Sequence, residues 1–349
     1  MTRAVVPPYR FPEDIHARPI AQREVTMRVI AIEEHFLPAA FRRTAGAAPG
    51  VSVEAGLGGR PPAFIERLAD VGEARLADMD AAGIDVQVLS AAVVGLPAGG
   101  IDRDLARAAN DELAAVVRAH PDRYAGLAFL PMWDPDAAAD ELRRCVAELG
   151  MKGAIVNGTI DGRFLDDPVF EPVLATAERL DVPIYLHPAP PPPAVFGAYF
   201  GGLPDAVADV LSRAGWGWHV ETGLHSLRLV VAGVFDRYPG LQVIIGHMGE
   251  NLPFSLARAN TTLTPVTPGL QRPVAEYFTT NFFYTTSGYF TVPPLLCALE
   301  VVGADRLIFA VDYPFSGNAE GRRFLDGLPI SPADRAKIAH GNAERVLKL

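Results

Sequence analysis

The segment RVIAIEEH at residues 28–35 decides between the two folds that the sequence allows. Its first six residues form a short β-branched run, and a glutamate and a histidine follow at once. An open doubly wound sheet, the alternative fold, usually has a glycine-rich phosphate-binding turn after its first strand. Because this strand leads into Glu33, Glu34 and His35 instead, the sequence argues against the open sheet.

Seven further apolar runs follow, and helical patterns separate them. The eight predicted strands cover residues 28–33, 85–91, 124–130, 152–157, 182–187, 242–247, 282–286 and 307–312. The main predicted helices cover 63–82, 103–119, 136–149, 168–180, 224–237 and 292–302. Strands that alternate with helices of this length indicate βαβ units in a parallel sheet. Eight such units predict an α/β fold, a (β/α)8 TIM barrel, as one domain over residues 28–349.

Three segments depart from this alternation. Residues 1–27 contain proline, arginine and glutamate without periodicity, and they are predicted to form an N-terminal extension that wraps the barrel or a neighbouring subunit. Long loops are predicted after strands 1 and 5, at 36–62 and 188–218. Loops of this length in a compact domain are usually functional lids or interfaces.

The overall composition excludes several classes of partner. The net charge of −10 and the pI near 5.3 argue against nucleic acid and against anionic membranes. No run of 18 apolar residues and no signal peptide is found, so no membrane segment is predicted. Cys145 and Cys297 lie far apart in apolar stretches. They are interpreted as free thiols, which favours a cytoplasmic location.

Five residues of metal-ligand type lie at the same end of four predicted strands. They are Glu33, His35, His187, His247 and Asp312. Each has an ordinary alternative role, such as a surface pair, a core histidine or a helix N-cap. Burying each alone would cost about 1–3 kcal/mol, however, whereas one cation satisfies them together. Histidine and carboxylate ligands predict one divalent metal ion, Zn²⁺ or Mn²⁺, rather than Ca²⁺.

Several motifs in a fixed order resemble one known family. Besides Glu33-x-His35 and GHMGE at 246–250, they are NGTIDGRFLDDPVF at 157–170, WGWHVETGLHSLRLV at 216–230, FYTTSG at 283–288, GADRLIFAVDYPF at 303–315 and GNAERVLKL at 341–349. The sequence resembles the decarboxylase group of the amidohydrolase superfamily. That group contains the 2,6- and 2,3-dihydroxybenzoate, 5-carboxyvanillate and aminocarboxymuconate semialdehyde decarboxylases. The resemblance runs from about residue 28 to the C-terminus.

The resemblance implies a role for individual positions. Glu33, His35, His187 and Asp312 match metal ligands. His247 matches a catalytic histidine that faces into the barrel, with Glu250 as its carboxylate partner. The family also implies a homodimer or homotetramer.

The remaining candidates are carried over with open alternatives. Arg258 falls where relatives have an arginine near the substrate or the subunit interface, but it also fits a surface ion pair. Glu250 also fits a residue that favours the positive end of the following helix. Phe315 is one of several aromatic residues at the mouth that could contact a planar ring. Relatives often carry tryptophan at Tyr313 and an acidic residue at Ser316, so these differences leave the substrate open.

The preferred hypothesis is non-oxidative decarboxylation of an aromatic, ortho-hydroxybenzoate-type acid, so the expected partner is a small aromatic carboxylate. The metal would bind the carboxylate and the ortho oxygen, and Asp312 would protonate the ring carbon with assistance from His247 and Glu250. A metal-dependent hydrolase that acts on a lactone or amide is the alternative, because the same ligands can activate water. A metal-stabilised scaffold without activity is the third hypothesis.

Overall fold

Nine short strands alternate with helices in the part of the chain that the structure describes. This computed structural model describes residues 27–45, Leu57, 60–93 and 101–349. The strands are β1 (Ile30–Phe36), β2 (Val86–Ala91), β3 (Tyr124–Gly126), β4 (Ala128–Phe129), β5 (Ala154–Asn157), β6 (Ile184–His187), β7 (Val243–Ile245), β8 (Phe282–Thr285) and β9 (Leu307–Ile308). Every pairing between neighbouring strands is parallel. Strands buried on both faces in this way are typical of an α/β protein.

Backbone contacts join the strands into a (β/α)8 barrel. The sheet β1–β3 and the sheet β4–β9 are separated only at Leu127, whose N–H donates to the carbonyl oxygen of Leu89 at 2.9 Å. The third predicted strand is therefore one strand interrupted at a single residue. At the other end, the N–H of Ile32 donates to the carbonyl oxygen of Phe309 at 3.2 Å, and Ile32 forms a parallel bridge with Ala310.

Helices follow the strands and cover the sheet. They are α1 (Ala39–Ala45), α2 (Pro62–Ala69), α3 (Glu73–Ala82), α4 (Arg103–Ala119), α5 (Pro135–Ala147), α6 (Glu171–Leu180), α7 (Pro193–Phe200), α8 (Asp205–Ser212), α9 (Gly217–Val231), α10 (Val234–Arg237), α11 (Leu252–Leu263), α12 (Val274–Thr280), α13 (Val292–Val302), α14 (Asn318–Asp326), α15 (Pro332–Ala336) and α16 (Asn342–Leu347). The helices predicted at 103–119 and 292–302 have the predicted bounds.

These helices correct several sequence-based predictions. The helix predicted at 224–237 begins earlier, in α9, and is divided from α10, and the loop predicted at 36–62 contains α1. The helix predicted at 63–82 is divided into α2 and α3, because the carboxylate of Asp70 accepts hydrogen bonds from the N–H groups of Gly72 and Arg75. The loop predicted at 188–218 is mostly helical, since it contains α7, α8 and the start of α9. Of the loop predicted at 36–62, residues 46–56 and 58–59 lie outside the described residues, as does the predicted extension up to residue 26.

Strand β1 is longer and less regular than the sequence predicts. The prediction ended the strand at Glu33, whereas β1 continues to Phe36. Its pairing with β2 shifts between Ala31 and Glu34, and Glu33 has a left-handed backbone with φ of 66°. A bulge of this kind redirects a side chain. The convergence of Glu33 and His35 therefore rests on the bulge and not on strand alternation alone.

No single helix among the described residues is long and apolar enough to cross a membrane. Two helical segments, Pro193–Phe200 and Asp205–Val231, are together long and apolar enough, but the chain bends by 120° between them, so they are only weak evidence for a membrane span.

Cys145 is buried and Cys297 is half-buried, and both are free thiols.

Candidate active site

Three of the predicted metal ligands lie together at the carboxyl ends of β1 and β6. One ligand atom from each of Glu33, His35 and His187 lies within 4.8 Å of the other two. The fourth predicted ligand, Asp312, follows β9 and places its Oδ1 atom 3.2 Å from Nε2 of His35. The structure thus brings all four predicted residues to one place.

The free atoms of this cluster fit a cation. Nδ1 of His35 is hydrogen bonded to Oγ of Ser90 at 3.2 Å, and Nδ1 of His187 donates to the carbonyl oxygen of Pro188 at 2.7 Å. Partners of this kind fix a metal-binding imidazole and leave its Nε2 atom for the ion. Burial and the neighbouring His35 lower the pKa of His187 to about 4, although Glu33 opposes them, so His187 stays neutral as a ligand must.

Glu33 supplies the clearest sign that a group is missing from the hydrogen-bond network. Its Oε2 atom accepts hydrogen bonds from the hydroxyls of Tyr185, Thr285 and Ser287. Its Oε1 atom is fully buried, has no hydrogen-bond partner among the described residues and lies 3.7 Å from Nε2 of His187. A buried carboxylate oxygen without a partner is costly unless it binds a cation. The residues present therefore fit a divalent metal.

Gly246 leaves room for this arrangement. A Cβ atom at residue 246 would lie 2.9 Å from Oε1 and 3.0 Å from Oε2 of Glu33. Neither the buried carboxylate nor the hydroxyls around it can retreat into solvent. Glycine is therefore required where β7 passes the cluster.

A second buried carboxylate holds the segment that carries Asp312. Oε1 of Glu34 accepts a hydrogen bond from the N–H of Val311 at 2.8 Å, and Oε2 accepts one from the N–H of Tyr313 at 3.0 Å. Burial raises the pKa of Glu34 to about 8, although these two N–H groups and the nearby Arg75 favour its charged form. No role was predicted for Glu34 from the sequence, yet its side chain clamps the backbone on both sides of Asp312.

Arg75 links the same clamp to β1. The buried guanidinium donates to the carbonyl oxygen of His35 and to Oε1 of Gln87, both at 2.7 Å, and it lies 4.7 Å from the ring centre of Tyr313. The backbones that present His35 and Asp312 are therefore held by one polar network. Apolar periodicity does not reveal this network, because Arg75 lies on α3, 40 residues after His35 in the chain.

His247 and Glu250 form a buried pair beside the metal cluster. His247 begins a short 3-10 segment, His247–Gly249, directly after β7, and its Nδ1 atom lies 2.7 Å from Oε1 of Glu250. Burial alone would lower the pKa of His247, but the charges of Glu250 and Glu33 raise it to about 10. Burial would raise the pKa of Glu250, but His247 and a hydrogen bond from His219 lower it to about 2.

The other two predicted residues occupy different positions. The ring of Phe315 lies 5.6 Å from that of His35 and 5.2 Å from that of Phe64, beside the cluster. Arg258 is exposed on α11. Its side chain forms no hydrogen bond or ion pair with any residue that the structure describes, so the structure does not bring it to the cluster.

The protein is thus a (β/α)8 barrel with a candidate metal-binding site at the carboxyl ends of its strands. Comparisons with known proteins identify its family. The family model described as Amidohydrolase matches residues 14–349, which includes half of the predicted N-terminal extension. The chain therefore belongs to the amidohydrolase family.

Within this family, several of the similar proteins are named decarboxylases, which are carbon–carbon lyases. The chain is 40% identical over 338 residues to gamma-resorcylate decarboxylase of Rhodococcus jostii, covering 92% of this chain and 98% of the relative. The crystal structure of dihydroxybenzoic acid decarboxylase from Polaromonas sp., with bound manganese and the inhibitor 2-nitroresorcinol, has a TM-score of 0.82 and 37% identity. It covers 92% of this chain and 97% of that one.

A third similar protein has a different named substrate. The structure of 5-carboxyvanillate decarboxylase from Novosphingobium aromaticivorans, complexed with manganese and 4-hydroxy-3-methoxy-5-nitrobenzoic acid, has a TM-score of 0.81 and 34% identity. It covers 92% of this chain and 96% of that one. The resemblance to the decarboxylase group that the motifs indicated is thereby confirmed, and so is the barrel fold.

Proposed function

We propose that this chain catalyses the metal-dependent, non-oxidative decarboxylation of an aromatic acid that carries a hydroxyl group ortho to its carboxylate. The observation that carries the proposal is the unpartnered Oε1 atom of Glu33 beside the free Nε2 atoms of two histidines. Similar proteins support the substrate class, because their names specify resorcylate, dihydroxybenzoate and carboxyvanillate.

The proposed ligands are Glu33, His35, His187 and Asp312, and the proposed ion is Mn²⁺ or Zn²⁺. Manganese is favoured, because similar decarboxylases were crystallised with it. When bound, such a cation supplies a Lewis acid and a template for a carboxylate and its neighbouring oxygen.

The protein's own side chains handle the proton. Loss of CO₂ from a benzoate requires a proton on the ring carbon that bears the carboxylate. We assign that proton to Asp312, whose flanking backbone is held by the Glu34 clamp and whose side chain is partly exposed. His247 assists from the neighbouring cluster, because its raised pKa favours the imidazolium, which donates a hydrogen bond to a phenolic oxygen.

Phe315 and Arg258 are the two remaining residues of the proposal, and only Phe315 lies beside the metal cluster. Phe315 is the proposed contact for the planar ring, because its own ring already packs edge-on against His35 at the cluster. Of the two roles predicted for Arg258, substrate contact and subunit interface, we propose the interface role. The reason is that Arg258 is exposed on α11 and does not reach the metal cluster of its own chain.

A product assay tests the proposed reaction. The manganese-loaded protein is incubated with a panel of hydroxybenzoates and, separately, with lactones and amides, and the phenol and CO₂ are quantified. Phenol and CO₂ in equal amounts are the expected result. Hydrolysis of a lactone or amide without decarboxylation would overturn the proposal in favour of the hydrolase alternative, and no turnover of either class would favour the scaffold.

Two variants test the assigned roles. Asp312→Asn and His247→Ala are both expected to abolish turnover, because each removes a proton-handling group. Elemental analysis should find the metal retained in the His247 variant, whereas the Asp312 variant loses a ligand. Full activity in either variant would contradict the assignment.

We also propose a cytoplasmic homodimer or homotetramer. Helices α7 and α8 and the residue before α9 expose large apolar side chains, among them Tyr199, Val210 and Trp216 at 74%, 62% and 54%. Large apolar side chains exposed close together in sequence favour an interface between proteins. Light scattering of the purified protein, with Tyr199→Glu and Val210→Glu as the variant pair, tests it: a monomeric wild type would contradict the proposal.

A further inference from the structure

His219 is a buried histidine that touches the same carboxylate as His247. It lies in the first turn of α9 with 4% of its surface exposed. Its Nδ1 atom is 2.5 Å from Oε2 of Glu250, while His247 occupies Oε1 at 2.7 Å. The two oxygens of one buried carboxylate are thus shared between two imidazoles from different elements.

The geometry of this trio is that of hydrogen bonds and not of metal ligation. Two ligand atoms that each lie about 2.0–2.2 Å from one ion are separated by about 3 Å or more. The separations of 2.5 and 2.7 Å are shorter than that and match charge-assisted N–H···O bonds. The trio is therefore a hydrogen-bonded chain that ends at the metal cluster.

The backbone of α9 is built to approach Glu250 closely. A Cβ atom on Gly223 would lie 3.0 Å from the carbonyl oxygen of Glu250. A larger residue there would push the helix away and draw His219 from the carboxylate. Glu250 itself has a left-handed backbone, with φ of 53°, which keeps its side chain directed at both imidazoles.

The far side of His219 is also fully occupied. Its Nε2 atom lies 3.1 Å from the carbonyl oxygen of Ala214 and 3.1 Å from the hydroxyl of Tyr289. A protonated Nε2 donates to the carbonyl, whereas an unprotonated Nε2 accepts from the hydroxyl. In both states, Nδ1 keeps its proton directed at Glu250, so the donor to the carboxylate is constant.

We propose that His219 is a positioning residue, which holds Glu250 in place and thereby fixes the orientation of His247. With one oxygen of Glu250 held by His219, the other remains directed at Nδ1 of His247. The Nδ1–H group then stays bonded to Glu250, and the Nε2–H group is presented to the mouth. This inference rests on the proposed function, in which His247 assists proton transfer.

Three variants separate positioning from structural support. His219→Phe keeps an aromatic ring but removes the donor to Glu250. His219→Asn retains an amide N–H near the position of Nδ1. His225→Phe is the matched control, because His225 is also buried on α9 but contacts the N–H of Leu165 instead of Glu250.

The first measurement does not depend on turnover. Histidine-labelled, zinc-loaded protein is studied by ¹⁵N NMR, because zinc is diamagnetic, and the His247 signals are assigned with His247→Ala. Wild type and His225→Phe are expected to show a low-field Nδ1–H signal of His247. In His219→Phe this signal should move to high field or disappear through exchange with water, because Glu250 no longer holds the Nδ1–H group, whereas His219→Asn should keep the wild-type pattern.

The second measurement is steady-state kinetics of the manganese-loaded enzyme with 2,6-dihydroxybenzoate. His219→Phe should lower kcat roughly 10-fold, with KM and metal content close to wild type, as expected for a group that acts in the transition state. His219→Asn should recover most of kcat. If wild type does not decarboxylate the substrate, the proposed function fails, while the NMR result still decides the role of His219.

Two results would overturn the inference. One is an unchanged Nδ1–H signal of His247 in His219→Phe. The other is a loss of kcat in His219→Asn as large as that in His219→Phe, because an amide N–H directed at Glu250 would then restore nothing.

Discussion

Lowering the pH should weaken the contact between His225 and Leu165. Nε2 of His225 accepts a hydrogen bond from the N–H of Leu165 at 2.8 Å. This bond ties the segment after β5 to α9, the helix that also carries His219. Only an unprotonated Nε2 can accept it, so protonation of His225 must break the contact.

The size of the effect follows from the pKa of His225. Burial lowers it from 6.5 to about 3, although Asp166 opposes the shift. The folded state therefore binds fewer protons than the unfolded state between pH 6.5 and 3, and stability falls as the pH falls through that window. The shift of about 3.5 units corresponds to roughly 5 kcal/mol when complete, of which about 2 kcal/mol is lost by pH 5.

Urea unfolding at pH 8, 6.5 and 5 measures this loss. Wild type is compared with His225→Gln, whose Oε1 atom can accept the hydrogen bond from Leu165 but does not titrate. The difference in unfolding free energy between the two proteins removes the contribution of every other titrating group. We expect it to move by about 2 kcal/mol in favour of the variant between pH 8 and pH 5.

Parallel pH profiles for wild type and His225→Gln would refute the reasoning. They would mean that His225 has nearly the same pKa in the folded and unfolded states. The buried hydrogen bond to Leu165 would then not depend on a neutral imidazole.

Three further outcomes are expected. Glu34→Gln keeps an oxygen that can accept from the N–H of Val311 or of Tyr313, but not from both. Manganese affinity, measured by calorimetry, should therefore fall about 10-fold, as is typical for groups that support metal ligands. An affinity equal to that of wild type would contradict the clamp. Gly246→Ala should also weaken manganese binding, because its methyl group would displace the Glu33 carboxylate; unchanged metal content would show that the site can adapt. Removing the metal with a chelator should abolish turnover and lower the melting temperature, with about 2.7 kcal/mol of stability restored when manganese is returned at 100 times its Kd; activity that survives chelation would exclude a metal-dependent reaction.

The barrel could be predicted because its strands are apolar on both faces and its helices are amphipathic. The short apolar runs predicted where the eight strands lie. The ends of the observed strands differ from the predicted ends where tertiary contacts interrupt the ladder. The strand predicted at 307–312 ends at Ile308, because the following backbone bonds to β1 and to Glu34 instead of continuing the ladder. The break between α2 and α3 depends on the side chain of Asp70, which a helical periodicity of apolar residues does not reveal.

The candidate site was predictable only in part. Residue type and strand position pointed to Glu33, His35, His187 and Asp312. No role was predicted for His219, because it lies 31 residues before Glu250 in the chain and only tertiary structure brings them together. The one available signal was its place in the motif WGWHVETGLHSLRLV, which forms α9, the helix that approaches Glu250.

Backbone strain gathers at the residues that the chemistry needs. Glu33, His247, Glu250 and Asp312 are not glycines, yet all have left-handed backbones, with φ of 66°, 49°, 53° and 69°. Each such residue costs on the order of 1 kcal/mol and persists only where its surroundings hold it. The hydroxyls hold Glu33, the Glu34 clamp holds the chain around Asp312, and the two imidazoles hold Glu250.

The hydrogen bonds that hold these residues also separate two groups of side chains in the site, one suited to a metal ion and one suited to a proton. The metal cluster leaves an unpartnered carboxylate oxygen and imidazole nitrogens directed at it, which suit a cation. The neighbouring trio of His219, Glu250 and His247 satisfies its own carboxylate with N–H donors, so it does not compete for that cation. If the same carboxylates and imidazoles served both purposes, binding of the metal ion would displace the proton of His247, and the proton would displace the metal ion. Because separate networks hold the two clusters, the site can bind a metal while His247 keeps its hydrogen bond to Glu250.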